Sequence, residues 1–485
     1  MTSLKKKSLT GLIWDFVGKL GLQGVGFFVS IILARILLPE DFGLLAIITV
    51  FINLANVFLD FGFSTALVQR SKVTEEHYAS VFFMNVIMGF FLAGLVFLAA
   101  PFVANFYEKE VLTDLIKVMS LSFVINSFGN VTRAYLRRAM NFKLMSITSL
   151  ISAFISGFIA VFMAYNGFGI WSLVTQILIS EILNNTLIYF LSKFRFKLVF
   201  SITAVKELWG FSSKIFLTGI LDTIFINLDS LIIGKILNPV TLGYYYRSKS
   251  LENFSFRYTA TTLSNILLPS LSSIKNEPIF YKTTVLKLFK LISFISFLAC
   301  GLLLVGAHEI IVLLFSEKWE PSVILFQIII FGAFAPQIFN LFYNILLSKG
   351  LSGLYLKINI FNKVLFFANF GFLFYANLNS YLIGFVCAQI LVFITGLIII
   401  SKKINFKNQL YFISIKNIAI YLISLAIVLT LKSYFYLQIL LLDLIIFTTT
   451  FLGVFLAFYF LFMKNDFILI INEIKELLNI KKKNA

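Results

Sequence analysis

Apolar residues follow one another along this chain in long stretches, without the alternation of a strand or the one-sided spacing of a surface helix. Each stretch has about 20 residues, the length of α-helix that crosses ~30 Å of hydrocarbon. The pattern predicts an all-α, polytopic membrane protein with about fourteen transmembrane helices. We place them at 11–37, 42–67, 78–101, 111–135, 146–166, 170–191, 211–237, 244–268, 285–307, 323–347, 354–376, 380–400, 412–431 and 437–463.

Composition supports a bilayer as the solvent, because 60% of the 485 residues are hydrophobic and 13% are charged. The connecting loops are short, so the positive-inside rule applies to them. Alternate loops are basic, as at Lys193 and Arg195, and the opposite ones are neutral or acidic, as at Glu40 and Asp41. Both ends are therefore predicted to be cytoplasmic. The net charge of +18 comes from the basic loops that set the orientation in the membrane, so we expect no nucleic-acid partner.

Residues with the chemistry of catalysis are sparse. Cys300 and Cys387 fall inside apolar spans, where packing is their expected role. His308 and Glu309 begin a zinc-protease motif that lacks its second histidine, and His77 lies in a loop. No glycine-rich phosphate loop and no serine triad signature occurs in the sequence. We expect no metal, no cofactor and no enzymatic activity.

An internal repeat indicates the architecture. Residues 14–24 (WDFVGKLGLQG) match residues 209–219 (WGFSSKIFLTG), and residues 34–43 (ARILLPEDFG) match residues 234–243 (GKILNPVTLG). Six predicted helices separate the copies, so both copies enter the membrane in the same direction and form parallel lobes. The predicted domains are a six-helix lobe at 1–205, a second at 206–405, two extra helices at 406–463 and an amphipathic basic tail at 464–485.

Polar residues inside predicted spans are candidates for function, since a charge within a bilayer is costly and faces a cavity or a partner. The polar positions recur every three or four residues, which places them on one stripe of each helix. The first span carries Asp15, Lys19, Gln23, Gly26 and Ser30, and the seventh carries Lys214, Thr218, Asp222 and Asp229. The eighth carries Arg247, Lys249, Glu252, Asn253, Arg257, Thr259, Thr261, Thr262 and Asn265.

Two interpretations of these charges stay open. In one, the cations line a lumen for an anionic group such as phosphate, which the planar fork of arginine binds well. The residues concerned are Arg257, Arg247, Lys249, Lys19, Lys214 and Arg35. In the other, acidic neighbours neutralise them and hold the lobes together, and Arg35 is an interfacial residue. Likewise Asp15, Asp222 and Asp229 either couple transport to an ion or serve as permanent counter-ions.

Several segments of the sequence resemble a known family. They are GLIWDFVGKLGLQGVGFFVSIILARILLPEDFGLLAI, FLDFGFSTALVQRSKVTEE, GFGIWSLV, GYYYRSKSLENF and SEKWEP. In order and spacing they resemble the Wzx-like polysaccharide and O-antigen flippases of the multidrug, oligosaccharidyl-lipid and polysaccharide exporter superfamily.

The resemblance implies transport of undecaprenyl-pyrophosphate-linked oligosaccharide repeat units across the bacterial inner membrane by alternating access, coupled to an ion gradient. Its implied partners are the lipid-linked oligosaccharide and membrane lipids, and contacts with polysaccharide assembly proteins stay open.

Two alternatives remain. A multidrug or small-solute antiporter of the same superfamily would share the lobes, but should favour cationic solutes. A membrane polysaccharide polymerase or ligase would need a large outer loop with arginines and a histidine, and the outer loops here are short and mostly acidic.

Overall fold

The protein is described from a computed structural model that covers residues 2–195, 199–375, 377–406, 408–435 and 437–483. For residues 2–10, 12–13, 257–266, 474 and 476–483 the description is limited to the backbone. Helices and their connections make up this part of the chain, and no strand occurs in it. The predicted all-α class is confirmed.

The helices are, in chain order, α1 (Thr2–Ile36), α2 (Pro39–Asp60), α3 (Phe63–Gln69), α4 (Glu75–Tyr107), α5 (Val111–Met119), α6 (Leu121–Arg138), α7 (Phe142–Tyr165), α8 (Trp171–Leu191), α9 (Ile202–Ile236), α10 (Pro239–Ser273), α11 (Pro278–Val305), α12 (Ala307–Phe315), α13 (Pro321–Gly332), α14 (Phe334–Ser348), α15 (Ser352–Tyr375), α16 (Leu378–Lys403), α17 (Gln409–Tyr434), α18 (Leu440–Phe462) and α19 (Lys464–Lys483). A 3₁₀ turn at Glu317–Trp319 joins α12 to α13.

Most of these helices are suited to a bilayer. Within the described residues, 13 helical segments are long and apolar enough to cross a membrane. The segment predicted as the eighth span, which carries Arg247, Lys249 and Glu252, is not one of them. It is nevertheless part of α10, whose 35 residues reach about 52 Å at 1.5 Å per residue. That α10 is the fourteenth crossing stays a prediction.

The chain divides into two compact units, Met1–Tyr246 (unit 1) and Arg247–Ala485 (unit 2). In unit 1, α7 packs on both α1 and α8, α6 packs on α8 and α4, and α2 packs on α9. In unit 2, α11 packs on α13, α14, α17 and α18, and α16 packs on α14 and α15. The predicted lobe boundary at 205/206 differs from this division and stays a prediction.

The second predicted span, 42–67, covers two helices, because the chain breaks between α2 and α3. Phe61 and Gly62 have left-handed backbones, with φ of 47° and 76°, which ends α2. The chain then restarts as α3, whose first turn has unpaired N–H groups. The carboxylate of Asp60 accepts hydrogen bonds from the amide of Ser64 at 3.2 Å and from its hydroxyl at 2.5 Å.

The far end of α3 is closed by Arg138, the last residue of α6. Its guanidinium donates to the carbonyl oxygens of Leu67 at 2.9 Å and Ser71 at 2.8 Å, and also to that of Arg70. Arg133, Arg137 and Arg138 all belong to α6, which continues to Arg138.

The repeat brings two equivalent helix starts together in unit 1. Helices α1 and α9 have the same length, 35 residues, and α2 and α10 begin at the equivalent residues Pro39 and Pro239. A β-carbon on Gly43 would lie 1.7 Å from the carbonyl oxygen of Pro239, and one on Gly243 would lie 1.9 Å from that of Pro39. Only glycine fits, so α2 and α10 cross backbone against backbone.

This crossing predicts that Gly43→Ala destabilises the protein. The added methyl group must push two backbones apart, and overpacking of this kind costs about 1–3 kcal/mol. We expect a lower midpoint of thermal unfolding for the purified variant. The control is Gly24→Ala in α1, where a β-carbon would meet nothing within 4 Å and alanine improves helix propensity. Equal midpoints for the two variants would contradict the close crossing.

Candidate functional site

Three of the predicted cavity cations belong to unit 1. Lys19, in α1, has a side chain 59% exposed, and its Nζ lies 2.6 Å from a carboxylate oxygen of Asp15. Lys214, in α9, and Arg35, at the end of α1, are also exposed. The structure therefore pairs Lys19 with one of the predicted ion-coupling residues.

Two more of these cations lie at the start of unit 2, against aromatic rings. Arg247 is 3% exposed, and its guanidinium carbon lies 4.5 Å from the ring centroid of Phe315 and 5.0 Å from that of Trp319. The Nζ of Lys249 lies 4.9 Å from the ring centroid of Phe385. Aromatic faces attract cations, so both side chains are stabilised where they lie.

The remaining predicted residues differ in their surroundings. The side chain of Arg257 lies outside the described residues, although its backbone belongs to α10. Asp222 is exposed, whereas Asp229 is 4% exposed. The carboxylate of Asp229 accepts a hydrogen bond from the hydroxyl of Tyr245 and one of 2.8 Å from the amide of Ser230.

A further polar cluster, which the sequence interpretation missed, lies on α6. Asn126, Asn130, Arg133 and Arg137 are spaced by four, three and four residues, so they share one stripe of this helix. The stripe faces a polar cavity of about 310 Å³ in unit 1. Helices α2, α3 and α6 supply its polar lining, which comprises Asn56, Asp60, Ser64, Asn126, Asn130, Arg133 and Arg137.

Arg133 is held by side-chain amides on both α6 and α8. Its Nη1 donates to Oδ1 of Asn185 at 2.5 Å, and its Nη2 donates to Oδ1 of Asn130 at 2.9 Å and of Asn126 at 3.2 Å. Asn185 in turn donates to the carbonyl oxygen of Ile125 at 2.9 Å. Because its Nη groups point at amide oxygens, Arg133 fixes the orientation of these amides.

Opposite charges surround the guanidinium of Arg133. Asp60 lies within electrostatic range of both Arg133 and Arg137, and Glu181 of α8 lies within range of Arg133. Two arginines therefore face two carboxylates. Buried charges persist in a membrane when they are paired and hydrogen-bonded in this way. Arg137 is the exposed member of the four.

The cavity offers both donors and acceptors to a ligand. Asparagine amides and a carboxylate hydrogen-bond hydroxyl groups, and arginine N–H groups bind hydroxyl or phosphate oxygens. The cavity is thus suited to a hydroxyl-rich or phosphate-bearing head group, and poorly suited to an apolar cation.

The network predicts unequal roles for the two arginines of α6. Arg133→Gln leaves Glu181 without its cation and three amide oxygens without their donor, which costs about 3–5 kcal/mol for a buried pair. Arg137→Gln removes the same charge four residues away from an exposed site. We expect the first variant alone to lower the midpoint of thermal unfolding strongly. A double-mutant cycle with Asn185→Ala should give a coupling of about 0.5–3 kcal/mol. Additive effects would contradict the network.

Similarity to known proteins gives the family. Residues 32–324 match the family described as "Polysaccharide biosynthesis protein". The lipopolysaccharide biosynthesis protein WzxC of Escherichia coli (strain K12) is 25% identical over 370 residues, which are 75% of this chain and 74% of that protein. The succinoglycan biosynthesis transport protein ExoT of Rhizobium meliloti (strain 1021) is 28% identical over 264 residues, 54% of this chain and 53% of that protein.

Solved structures give the fold. The lipid II flippase MurJ in an inward closed conformation matches with a TM-score of 0.74 at 15% identity, over 93% of this chain and 99% of that one. A multidrug resistance MATE family transporter in an inward-facing conformation matches with a TM-score of 0.62 at 16% identity, over 79% of this chain and 94% of that one. The resemblance seen in the sequence is confirmed: the chain belongs to the polysaccharide biosynthesis protein family and has the fold of the MurJ and MATE transporters.

Proposed function

We propose that this protein is a flippase for undecaprenyl-pyrophosphate-linked oligosaccharide repeat units. It would move them from the cytoplasmic to the periplasmic leaflet of the bacterial inner membrane by alternating access, coupled to an ion gradient. Its relatives act in polysaccharide biosynthesis, and one is named as a transport protein.

The observation that carries the proposal is the polar cavity of unit 1. A flippase must give a hydrophilic head group a path through hydrocarbon, so it needs hydrogen-bonding groups inside membrane-spanning helices. Asp60 and the Asn126–Arg137 stripe stand on segments long and apolar enough to span. Donors and acceptors for sugar hydroxyls thus lie within spanning helices.

The cations of the first, seventh and eighth spans complete the proposed path. Phosphate groups would bind at Arg257, Arg247, Lys249, Lys19, Lys214 and Arg35. Arg247 is the weakest member of this set because its guanidinium is buried against Phe315 and Trp319.

In this proposal Asp15, Asp222 and Asp229 bind the coupling ion. Asp229 is the buried one of the three, and a membrane carboxylate of this kind is a frequent site of ion coupling.

The proposal includes an arrangement in the membrane. Parallel lobes at 1–205 and 206–405 would move against each other, with both termini in the cytoplasm. The protein would also contact other proteins that assemble the polysaccharide.

A multidrug or small-solute antiporter is the second candidate, favoured by the similarity of the fold to a MATE transporter. The asparagine amides and arginine N–H groups of the cavity favour a hydroxyl-rich head group over an apolar cation. A polymerase or ligase is less favoured, because the fold is that of transporters.

A cell-based experiment tests the flippase and its cationic path together. Cells that lack the protein and any second flippase should accumulate lipid-linked glycan on the cytoplasmic leaflet, and wild type should restore export. Arg257→Ala should export at least tenfold less, since a charge-assisted hydrogen bond contributes about 1.5–3 kcal/mol. The measurement is accessibility of the labelled glycan to a periplasmic glycosidase.

Lys402→Ala is the matched control, because Lys402 is an exposed cation near the end of α16 and outside the proposed path. Full export by this variant is expected. Glycan that still reaches the periplasm in deletion cells would refute the transport function. Full export by Arg257→Ala would refute only the role of that residue.

A further inference from the structure

A second cavity of unit 1 lies between α4, α6 and α8 and has a volume of about 660 Å³. We call it the lateral groove. Most of its wall is apolar, with Phe82 from α4, Ile125 and Phe128 from α6, and Ile182 and Phe190 from α8. The side chains of Phe128 and Phe190 are 48% and 66% exposed. The three helices belong to segments long and apolar enough to span a membrane, so an open apolar groove between them is suited to a hydrocarbon chain.

The lateral groove differs from a plain hydrocarbon surface because Arg195 belongs to its lining. The side chain is held in a defined orientation. Its Nη1 donates to the carbonyl oxygens of Tyr189 at 3.0 Å and Phe194 at 2.7 Å, and the guanidinium carbon lies 4.2 Å from the centroid of the Tyr189 ring. Stacking and two hydrogen bonds therefore fix one edge of the guanidinium.

The other edge of Arg195 is the one that a ligand can use. An arginine has five N–H groups, and those on Nε and Nη2 donate to no acceptor within the part of the chain that the structure describes. Nε and Nη2 are the pair that binds two phosphate oxygens in parallel. Arg195 thus offers a preorganised phosphate fork beside an apolar groove.

We propose that the lateral groove binds an anionic glycerophospholipid of the cytoplasmic leaflet. An acyl chain packs against Phe128, Ile182 and Phe190, and the lipid phosphate is bound by Nε and Nη2 of Arg195. The loop charges predict that the end of α8 is cytoplasmic, and anionic lipids are attracted to basic segments on that side. The site does not depend on the proposed transport function.

The position of the groove argues for a resident lipid and against the transported molecule. Its α6 residues, Ile125, Phe128 and Thr132, lie on a different stripe from Asn126 and Arg133, which face the polar cavity. Helices α6 and α8 pack on each other, and the hydrogen bond from Arg133 to Asn185 joins them. The polar cavity and the lateral groove thus lie on different faces of α6.

Unit 1 provides a matched comparison. A groove of about 410 Å³ between α2 and α4 is lined by residues such as Phe51, Phe58, Phe91 and Ala99, and none of the described residues that line it is charged. It is suited to hydrocarbon chains without selecting a head group. A preference for an anionic lipid should therefore depend on the lateral groove and not on the α2–α4 groove.

The experiment is native mass spectrometry of the full-length protein in detergent, with equimolar phosphatidylglycerol and phosphatidylethanolamine of identical acyl chains. Wild type should retain phosphatidylglycerol about tenfold better, because the ammonium group of phosphatidylethanolamine neutralises the charge of its phosphate and is repelled by the guanidinium of Arg195. Arg195→Gln should abolish this preference, and Arg195→Lys should keep only part of it, because lysine keeps the charge and loses the fork. Lys206→Gln removes the same charge from an exposed site in the first turns of α9, outside the lining of the lateral groove, and should behave as wild type.

A second pair of variants tests the groove itself. Thr186→Trp fills the lateral groove and should reduce lipid retention about tenfold, whereas Ala99→Trp in the α2–α4 groove should keep the phosphatidylglycerol preference. If Thr186→Trp fails to fold, Arg195→Gln decides alone.

Three results would overturn the proposal. The first is an unchanged preference in Arg195→Gln, and the second is an equal loss in Lys206→Gln. The third is displacement of phosphatidylglycerol from wild type by tenfold less undecaprenyl phosphate, which would assign the groove to a polyprenyl lipid instead.

Discussion

A bilayer offers the main chain no hydrogen-bonding partner, and the rest of this structure depends on that constraint. An uninterrupted helix satisfies this constraint with its own backbone hydrogen bonds, and most of the chain is built from such helices. Where α2 breaks at Phe61, side chains take the place of water. Asp60 closes the start of α3, and Arg138, brought in from the end of α6, closes its far end. The break is thus stable because two charged side chains complete the hydrogen bonding of its backbone.

Charged side chains obey the same constraint. Arg133 lies among three amide oxygens and near Glu181, so the cluster that gives unit 1 its polar cavity is also internally neutralised. Unit 2 repeats the solution at another place. There Glu309 is fully buried, and Lys432 of α17 bonds both its carboxylate and the carbonyl oxygen of Val305, each at 2.8 Å. This pair ties one of the two extra C-terminal helices to the region where α11 ends.

The apolar pattern predicted the fold class well, because the length of a spanning helix is set by the bilayer and is visible in one sequence. It missed the break at Phe61, because one of the two left-handed residues there is a phenylalanine and only Gly62 hinted at the break. It also missed Arg133 as a site residue. The positive-inside rule treats an arginine near a span end as a loop charge, although its spacing from Asn126 and Asn130 was a helical stripe. Contacts across helices, such as Asn185, leave no such pattern in the sequence.

The crossing of Gly43 and Gly243 has a mechanical consequence. Two helices that meet through side chains interlock, and any change in their angle requires those side chains to repack. Main-chain atoms have no alternative rotamers, so α2 and α10 meet at this crossing without interlocking side chains. The angle between the two helices can therefore change at little energetic cost while the backbone contact persists. The crossing that holds the repeated helices close together is therefore also a point at which they can rotate relative to each other without repacking side chains.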